Sequence, residues 1–180
     1  MSTIINGSSP SVTFSDGTTQ TTAFTGSASQ ITSGTLPSAQ LPTGSILQVV
    51  QSTFTSTVST SSSTMVSTGL NASITPKFSN SKILVLVGGN GDQTAASTQI
   101  GFSIYRNSTN LSSLTFTNIY GSNSRVIAPL FISYLDSPAT TSSTTYNLYF
   151  ASTSSAGSVT FNQGAGGTYS VATITLMEIA

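Results

Sequence analysis

The chain contains no cysteine, no histidine and no tryptophan, and only eight of its 180 residues carry a formal charge, four basic and four acidic. Disulfides, thiol nucleophiles, an imidazole base or pH switch, and the usual zinc ligands are therefore excluded. A charged fraction of 4% stands far below the roughly 25% of an ordinary soluble domain. The balanced net charge provides no field to attract nucleic acid, and Lys77, Lys82, Arg106 and Arg125 are too scattered to form a phosphate footprint. Long apolar runs are missing too. The densest, Ile83 to Val87, falls well short of the roughly 18 to 20 residues that span a bilayer, so no membrane insertion is expected. Met1 to Gly7 lacks a basic segment followed by an apolar run, so no signal peptide is expected.

What the chain has instead is hydroxyl: 36 Ser and 31 Thr, together 67 of 180 residues. Mean hydropathy is slightly positive, at +0.18, which together with zero net charge is not the composition of a disordered chain. Four Asn-X-Ser/Thr matches, at Asn6, Asn71, Asn107 and Asn110, are what chance produces at this Ser/Thr content. The length suffices for one domain with a sizeable core, or a smaller one with an appendage.

Three segments emerge. Residues 1–25 hold small polar residues with isolated apolar positions. Val12 and Phe14 alternate with Thr13 and Ser15, Asp16-Gly17 supplies a turn, and Thr18 to Phe24 resumes a β-prone run, which reads as a hairpin. Residues 26–44 space Ile31, Leu36 and Leu41 among Gly26, Gly34, Pro37, Pro42 and Gly44, a Gly/Pro-containing linking segment that fits neither helix nor central strand. From residue 45 to 180 strand signals dominate. They cover Ile46 to Thr57, Thr64 to Ser67, Leu70 to Thr75, Lys82 to Val87, Ile100 to Tyr105 and Leu111 to Thr117. Further along they cover Arg125 to Leu135 (interrupted or placed at an edge by Pro129), Tyr146 to Phe150, Ser158 to Asn162 and Tyr169 to Ile179. Lys82 to Val87 reads as a central strand covered on both faces, and Gly88 to Ser97 as a flexible loop. Ser56 to Ser63 and Thr141 to Thr145 read as loops. With no amphipathic helix, the expected fold is all-β, an antiparallel β-sandwich or jelly roll with an extended N-terminal β arm.

An isolated hairpin is marginal in water, so the arm needs a partner surface. Ile4, Ile5, Val12, Phe14 and Phe24, with Ile31, Leu36 and Leu41 beyond them, are the candidate contacts to the rest of the chain, to other copies or to another protein. Shared burial among copies would also cover strand edges that otherwise pair uncontrollably.

The acidic residues read as structural. Asp16 before Gly17 is an Asx turn, Asp136 before Ser137-Pro138 a turn residue, and Glu178 a cap or ion pair. Asp92 sits in an oxygen-rich stretch without the ligand series of a calcium loop. No carboxylate pair or phosphate loop is formed by spacing, so neither an enzyme, a metal nor a cofactor is expected. The ligand-facing set, if a glycan is bound, is Asn90, Asp92, Tyr120 and Asn123, combining two turn-rich stretches with one aromatic; Tyr105 with Tyr120 could form a stacking platform.

Phe14-Ser15-Asp16-Gly17-Thr18-Thr19-Gln20-Thr21-Thr22-Ala23 resembles a recurrent motif of tail-fibre, head-fibre and other virion structural proteins of tailed bacteriophages. The stretches Gly34 to Pro42, Gly44 to Val50, Ser133 to Thr140 and Ala172 to Ile179 extend the likeness in the same order. The resemblance implies a homotrimer on the virion surface, on tail or capsid, with an N-terminal attachment region and a compact β-rich tip. A short fibre held by its arm is the leading expectation. A capsid decoration or cement protein, or a glycan receptor-binding module, is the alternative.

Overall fold

The computed structural model describes residues 4–6, 11–13, 15–20, 41–93, 98–111, 115–117, 125–152, 157–164 and 170–180. The chain divides into two compact units, Met1–Gln40 and Leu41–Ala180. In the first, β1 (Ile4–Asn6), β2 (Ser11–Thr13) and β3 (Thr19–Gln20) form an antiparallel sheet in that order. Ile5 lies opposite Val12 and Ile4 opposite Thr13. The turn between β2 and β3 is the one the sequence announces. Gly17 takes a φ of 84°, and Asp16 Oδ1 accepts from the backbone N–H of Thr18 at 3.0 Å and from its hydroxyl at 2.6 Å. The Thr18 hydroxyl, then its N–H, hold the Asp16 carboxyl below its usual range. Phe14, Phe24, Ile31, Leu36, Tyr120 and Asn123 lie outside the described residues.

The second unit holds β4 (Ile46–Phe54), β5 (Val58–Thr60), β6 (Val66–Ile74), β7 (Lys82–Gln93), β8 (Ile100–Arg106), β9 (Thr109–Asn110), β10 (Thr115–Thr117), β11 (Val126–Asp136), β12 (Thr144–Ser152), β13 (Val159–Phe161) and β14 (Ala172–Ile179). They form an antiparallel, jelly-roll-like sandwich. The smaller sheet runs β10-β8-β12-β6 with β9 beside β8; the larger runs β4-β14-β7-β13-β5 with β11 on the other edge of β7. The chain crosses repeatedly between the sheets, and apart from the local pairs of β8 with β9 and β10 its strands pair with partners distant in sequence.

Period-two alternation decides which side chains face inward. Leu70, Ala72 and Ile74 of β6, Ile100, Phe102 and Ile104 of β8, and Tyr146, Leu148 and Phe150 of β12 meet Ile83, Val85 and Val87 of β7, Leu130 and Ile132 of β11, and Ile174 and Leu176 of β14 in one core. At one end an aromatic cluster forms around Phe161, whose ring centroid lies 5.8 Å from Phe54, 6.0 Å from Phe102 and 6.5 Å from Phe150.

Three expectations need correction. Gly88 to Gln93 is not a loop: β7 continues to Gln93, paired throughout with β11 from Val126↔Gln93 to Asp136↔Ile83. A Cβ on Gly89 would come within 3.1 Å of Ala172 and 3.2 Å of Phe161, and one on Gly91 within 3.2 Å of Phe102. The glycines are there because core rings pack onto the strand backbone. Second, the strands expected at Thr64 to Ser67 and Leu70 to Thr75 are one strand, β6 (Val66–Ile74). Its register against β12 shifts between Asn147 and Tyr149, Gly69 takes a φ of 85°, and the Thr68 hydroxyl bridges the irregularity by donating to the Leu148 carbonyl at 2.8 Å. Third, part of Ser56 to Ser63 is strand β5, paired with β13. Pro129 does sit on a strand whose only described neighbour is β7, as its missing N–H requires.

Candidate functional site

Charge is so scarce that its placement defines the polar architecture. Asp136, expected at a turn, is instead the buried last residue of β11, facing inward. Arg106 Nη1 at the end of β8 donates to both of its oxygens at 3.0 and 2.9 Å. The Tyr146 hydroxyl of β12 donates to Oδ2 at 2.7 Å. This triad joins the two sheets at one end of the core. Burial, then the bond to Asp136, pushes the Tyr146 phenol far above its usual range, so it remains a donor.

A second pair closes the far end of β7. Asp92, 2% exposed, receives Arg125 Nε and Nη2, each at 2.8 Å. The hydrogen bond, then the charge, of Asp92 raises the Arg125 guanidinium further. Beside it, Asn90 Nδ2 donates to the Ser170 hydroxyl at 2.8 Å, while Asn162 Nδ2 reaches the carbonyls of Phe54, Ser56 and Ser170 at 3.0, 3.1 and 2.8 Å. Oδ1 of Asn90, of Asp92 and of Asn162 has no hydrogen-bond partner among the described residues. One carboxylate already neutralised by an arginine is a poor cage for a divalent cation, which needs several charged oxygens. Among the described residues no three His, Cys, Asp or Glu side chains gather where a metal could be held.

Glu178, fully buried on β14, caps the chain before β7. Its Oε1 accepts from the N–H of Lys77 at 2.7 Å and of Phe78 at 3.4 Å, and its Oε2 from Gln48 Nε2 at 2.5 Å. Burial alone would raise this carboxyl, but the Gln48 bond and the two N–H groups together hold it below its usual value of 4.5. A depressed folded-state pKa stabilises fully above the unfolded value and loses that contribution as pH falls through the folded one. Unfolding free energy should thus stay level toward pH 5 and drop below about 4.5. Glu178→Gln should lower the plateau and shrink the acid limb in pH-dependent urea titrations. An unchanged acid limb would dismiss this role.

Of the ligand-facing set, Asn90 and Asp92 lie on β7, two residues apart on one strand face, with Asp92 sealed by Arg125. Tyr120 and Asn123 are outside the described residues, so no convergence of the four is on view. Sequence reasoning missed the Asp136 triad because nothing local marks Arg106, Tyr146 and Asp136 as neighbours. It also missed the ring pair of Tyr105 and Tyr149, with centroids 4.1 Å apart, on the outer face of the smaller sheet. Tyr105 falls opposite Asn147, and Tyr149 opposite Ser103. Of the contact set, Ile4, Ile5 and Val12 lie on β1 and β2, and Leu41 is half-buried in the second unit.

The class of protein is thus an all-β, jelly-roll-like sandwich whose buried acids act as structural clamps, with no catalytic constellation among the described residues. No family model matches the chain, and no curated protein matches it. Among solved structures it is similar to that of the Gt strain of infectious bursal disease virus, with a TM-score of 0.41, 14% identity, and coverage of 82% of this chain and 42% of the other. It is also similar to the VP2 subviral particle of that virus, with a TM-score of 0.38, 13% identity and coverage of 76% and 38%. The chain spans about two fifths of the length of the chains it matches.

These structures are of infectious bursal disease virus and its VP2 particle, not of bacteriophage fibres, and the tailed-bacteriophage, tail-fibre reading is corrected on that finding. The physical reason lies in the motif: short segments of Ser, Thr, Gly and Asp recur wherever polar turns join exposed strands, so they carry little lineage information. The likeness to the viral structures is likewise one of fold, and no activity is transferred from them.

Proposed function

We propose that this chain is a non-enzymatic structural protein of a virus particle, a capsid decoration or cement protein acting by assembly and display. The observation that carries this reading is the deployment of charge. Asp92, Asp136 and Glu178, with both arginines, are engaged in bonds that hold the sandwich together. Apart from Asp16, Lys77 and Lys82, the remaining described surface is one of hydroxyls, amides and apolar side chains, which can pack and hydrogen-bond, and among the described residues no acid, base and nucleophile set gathers to turn over a substrate. In the finer form of the proposal, residues 1–25 hold another virion protein, residues 26–44 link, residues 45–180 form the displayed body, and copies associate as a homotrimer. A density map of the intact particle is the test: repeated copies on the shell support the proposal, and absence from the shell refutes it.

Recognition of a host surface glycan is a second reading, favoured by the half-buried Tyr105–Tyr149 pair among Asn71, Asn147 and Ser67 on an uncharged sheet face. Saturable, salt-insensitive binding on a panel of neutral glycans, lost in Tyr149→Ala, would support it, and no binding across the panel would reject it.

A further inference from the structure

The two outer faces of the sandwich differ. Large side chains exposed on the described strands belong to the larger sheet. Phe131 is 72% exposed, Val49 54% and Leu135 50%, with Ile127 and Ile46 also exposed. The register aligns them. Val49 of β4 lies opposite Met177 of β14, Met177 opposite Leu84 of β7, and Leu84 opposite Leu135 of β11. One unbroken apolar row therefore crosses four strands. The next row is Gln51, Thr175, Leu86 and Ser133, and the one after it Thr53, Thr173, Gly88 and Phe131. No charge stands in these three rows. Lys82 flanks them at one end, and at the other Asp92 is already paired with Arg125.

We infer that this face is where a second copy of the chain packs, an inference that rests on the structural-protein reading above. Three observations choose the occupant. The run Ile83-Leu84-Val85-Leu86-Val87 is apolar at every position, the pattern of a strand covered on both faces. Within one chain only Ile83, Val85 and Val87 are fully buried, while Leu84 and Leu86 remain partly open. Next, charge: a partner rich in ionic side chains would have to desolvate them against a face offering no counter-charge. This chain, 4% charged with zero net charge, presents an uncharged surface itself, and its copies do not repel. Last, size: the four strands, about 4.8 Å apart, are aligned over Phe131 to Leu135 and their partners, at about 3.3 Å per residue, and project on the order of 300 Å². Pleating and side chains add to that, against about 800 Å² per partner in a standard interface. With β7 and β11 continuing past these rows to Asp92 and Ile127, the face supplies a substantial part of what a stable association of copies needs.

Sedimentation velocity of the full chain across a micromolar series tests this. The parent should sediment as an oligomer. Phe131→Thr/Leu135→Thr, which places strand-favouring β-branched residues on the strand, should return it to the 18.4 kDa monomer with an unchanged far-UV spectrum. Should that variant misfold, Ser133→Cys provides a second route, since the chain has no other thiol. A polarity-sensitive label at Cys-substituted position 133 should shift to the blue as the protein associates. A parent that is oligomeric while folded variants stay oligomeric, or a label that stays solvent-like, overturns the assignment of the face and leaves the structural-protein proposal standing. A parent that is monomeric throughout overturns self-association itself, while the particle map judges the structural role separately.

Discussion

Replacing Phe161 with alanine should lower the unfolding free energy by about 4 kcal/mol, near the top of the range for a fully buried aromatic. Phe161 is 0% exposed, and its ring contacts those of Phe54, Phe102 and Phe150. It also fills the space above Gly89, where a Cβ would come within 3.2 Å of it. Truncation removes burial and opens a cavity between strands pinned by β13 pairing on both sides, to β5 and β7. The surrounding backbone therefore cannot collapse freely into the gap. Urea unfolding followed by far-UV circular dichroism measures the loss, the chain having no tryptophan to report it. A loss below about 1.5 kcal/mol would mean that the site relaxes and that Phe161 is not the centre of this end of the core.

The second large effect is at the other end. Asp136→Ala should cost about 3 kcal/mol, because it leaves two donors without their acceptor, the Arg106 guanidinium and the buried Tyr146 hydroxyl. The estimate sits at the low end for a buried ion pair, since the Arg106 side chain keeps 27% of its surface in solvent against 8% for Asp136. The order of effects follows from that asymmetry. Arg106→Ala should cost less, because Asp136 keeps its bond from Tyr146 and Arg106 was partly hydrated already. Asp136→Asn should fall between the parent and Asp136→Ala, retaining an acceptor without the charge. Equilibrium unfolding of the three variants gives the ranking, and Arg106→Ala proving the most damaging would contradict this account of the triad.

Much of the fold was legible in the chain because alternation is a local signal. Leu70-Ala72-Ile74, Ile100-Phe102-Ile104 and Tyr146-Leu148-Phe150 announce their buried faces by period alone, and Asp16-Gly17 announces its turn by backbone chemistry. Gly88 to Gln93 misleads for an equally physical reason. Gly, Asn and Asp favour turns in isolation, yet here the missing side chains admit the rings of Phe102 and Phe161, and pairing with β11 and β13 overrides local preference. Pro129 was readable as an edge residue because a lost N–H has the same consequence in any sheet.

The polar sites divide along the same line. Glu178 near the end of a β-rich segment could be read as a cap, since few roles suit an isolated buried acid. Asp136 could not be read correctly, because its partners come from β8 and β12 and are separated from it by 30 and 10 residues. The pairing of Tyr105 with Tyr149 has the same character, as does the apolar row from Val49 through Met177 and Leu84 to Leu135. Each depends on which strands become neighbours and in what register.

By itself the sequence determined that the protein is all-β, that it lacks thiol, imidazole and the charge for nucleic-acid binding, and that its strands bury one set of alternating side chains. These follow from residue identity and period two, which need no knowledge of the partner strand. Only the tertiary structure decided which acids clamp which sheets, that a glycine-rich stretch is core strand, and that one sheet keeps an apolar face open. Those outcomes are set by strand order and register, where a shift of one residue exchanges the inside of a sheet for its outside.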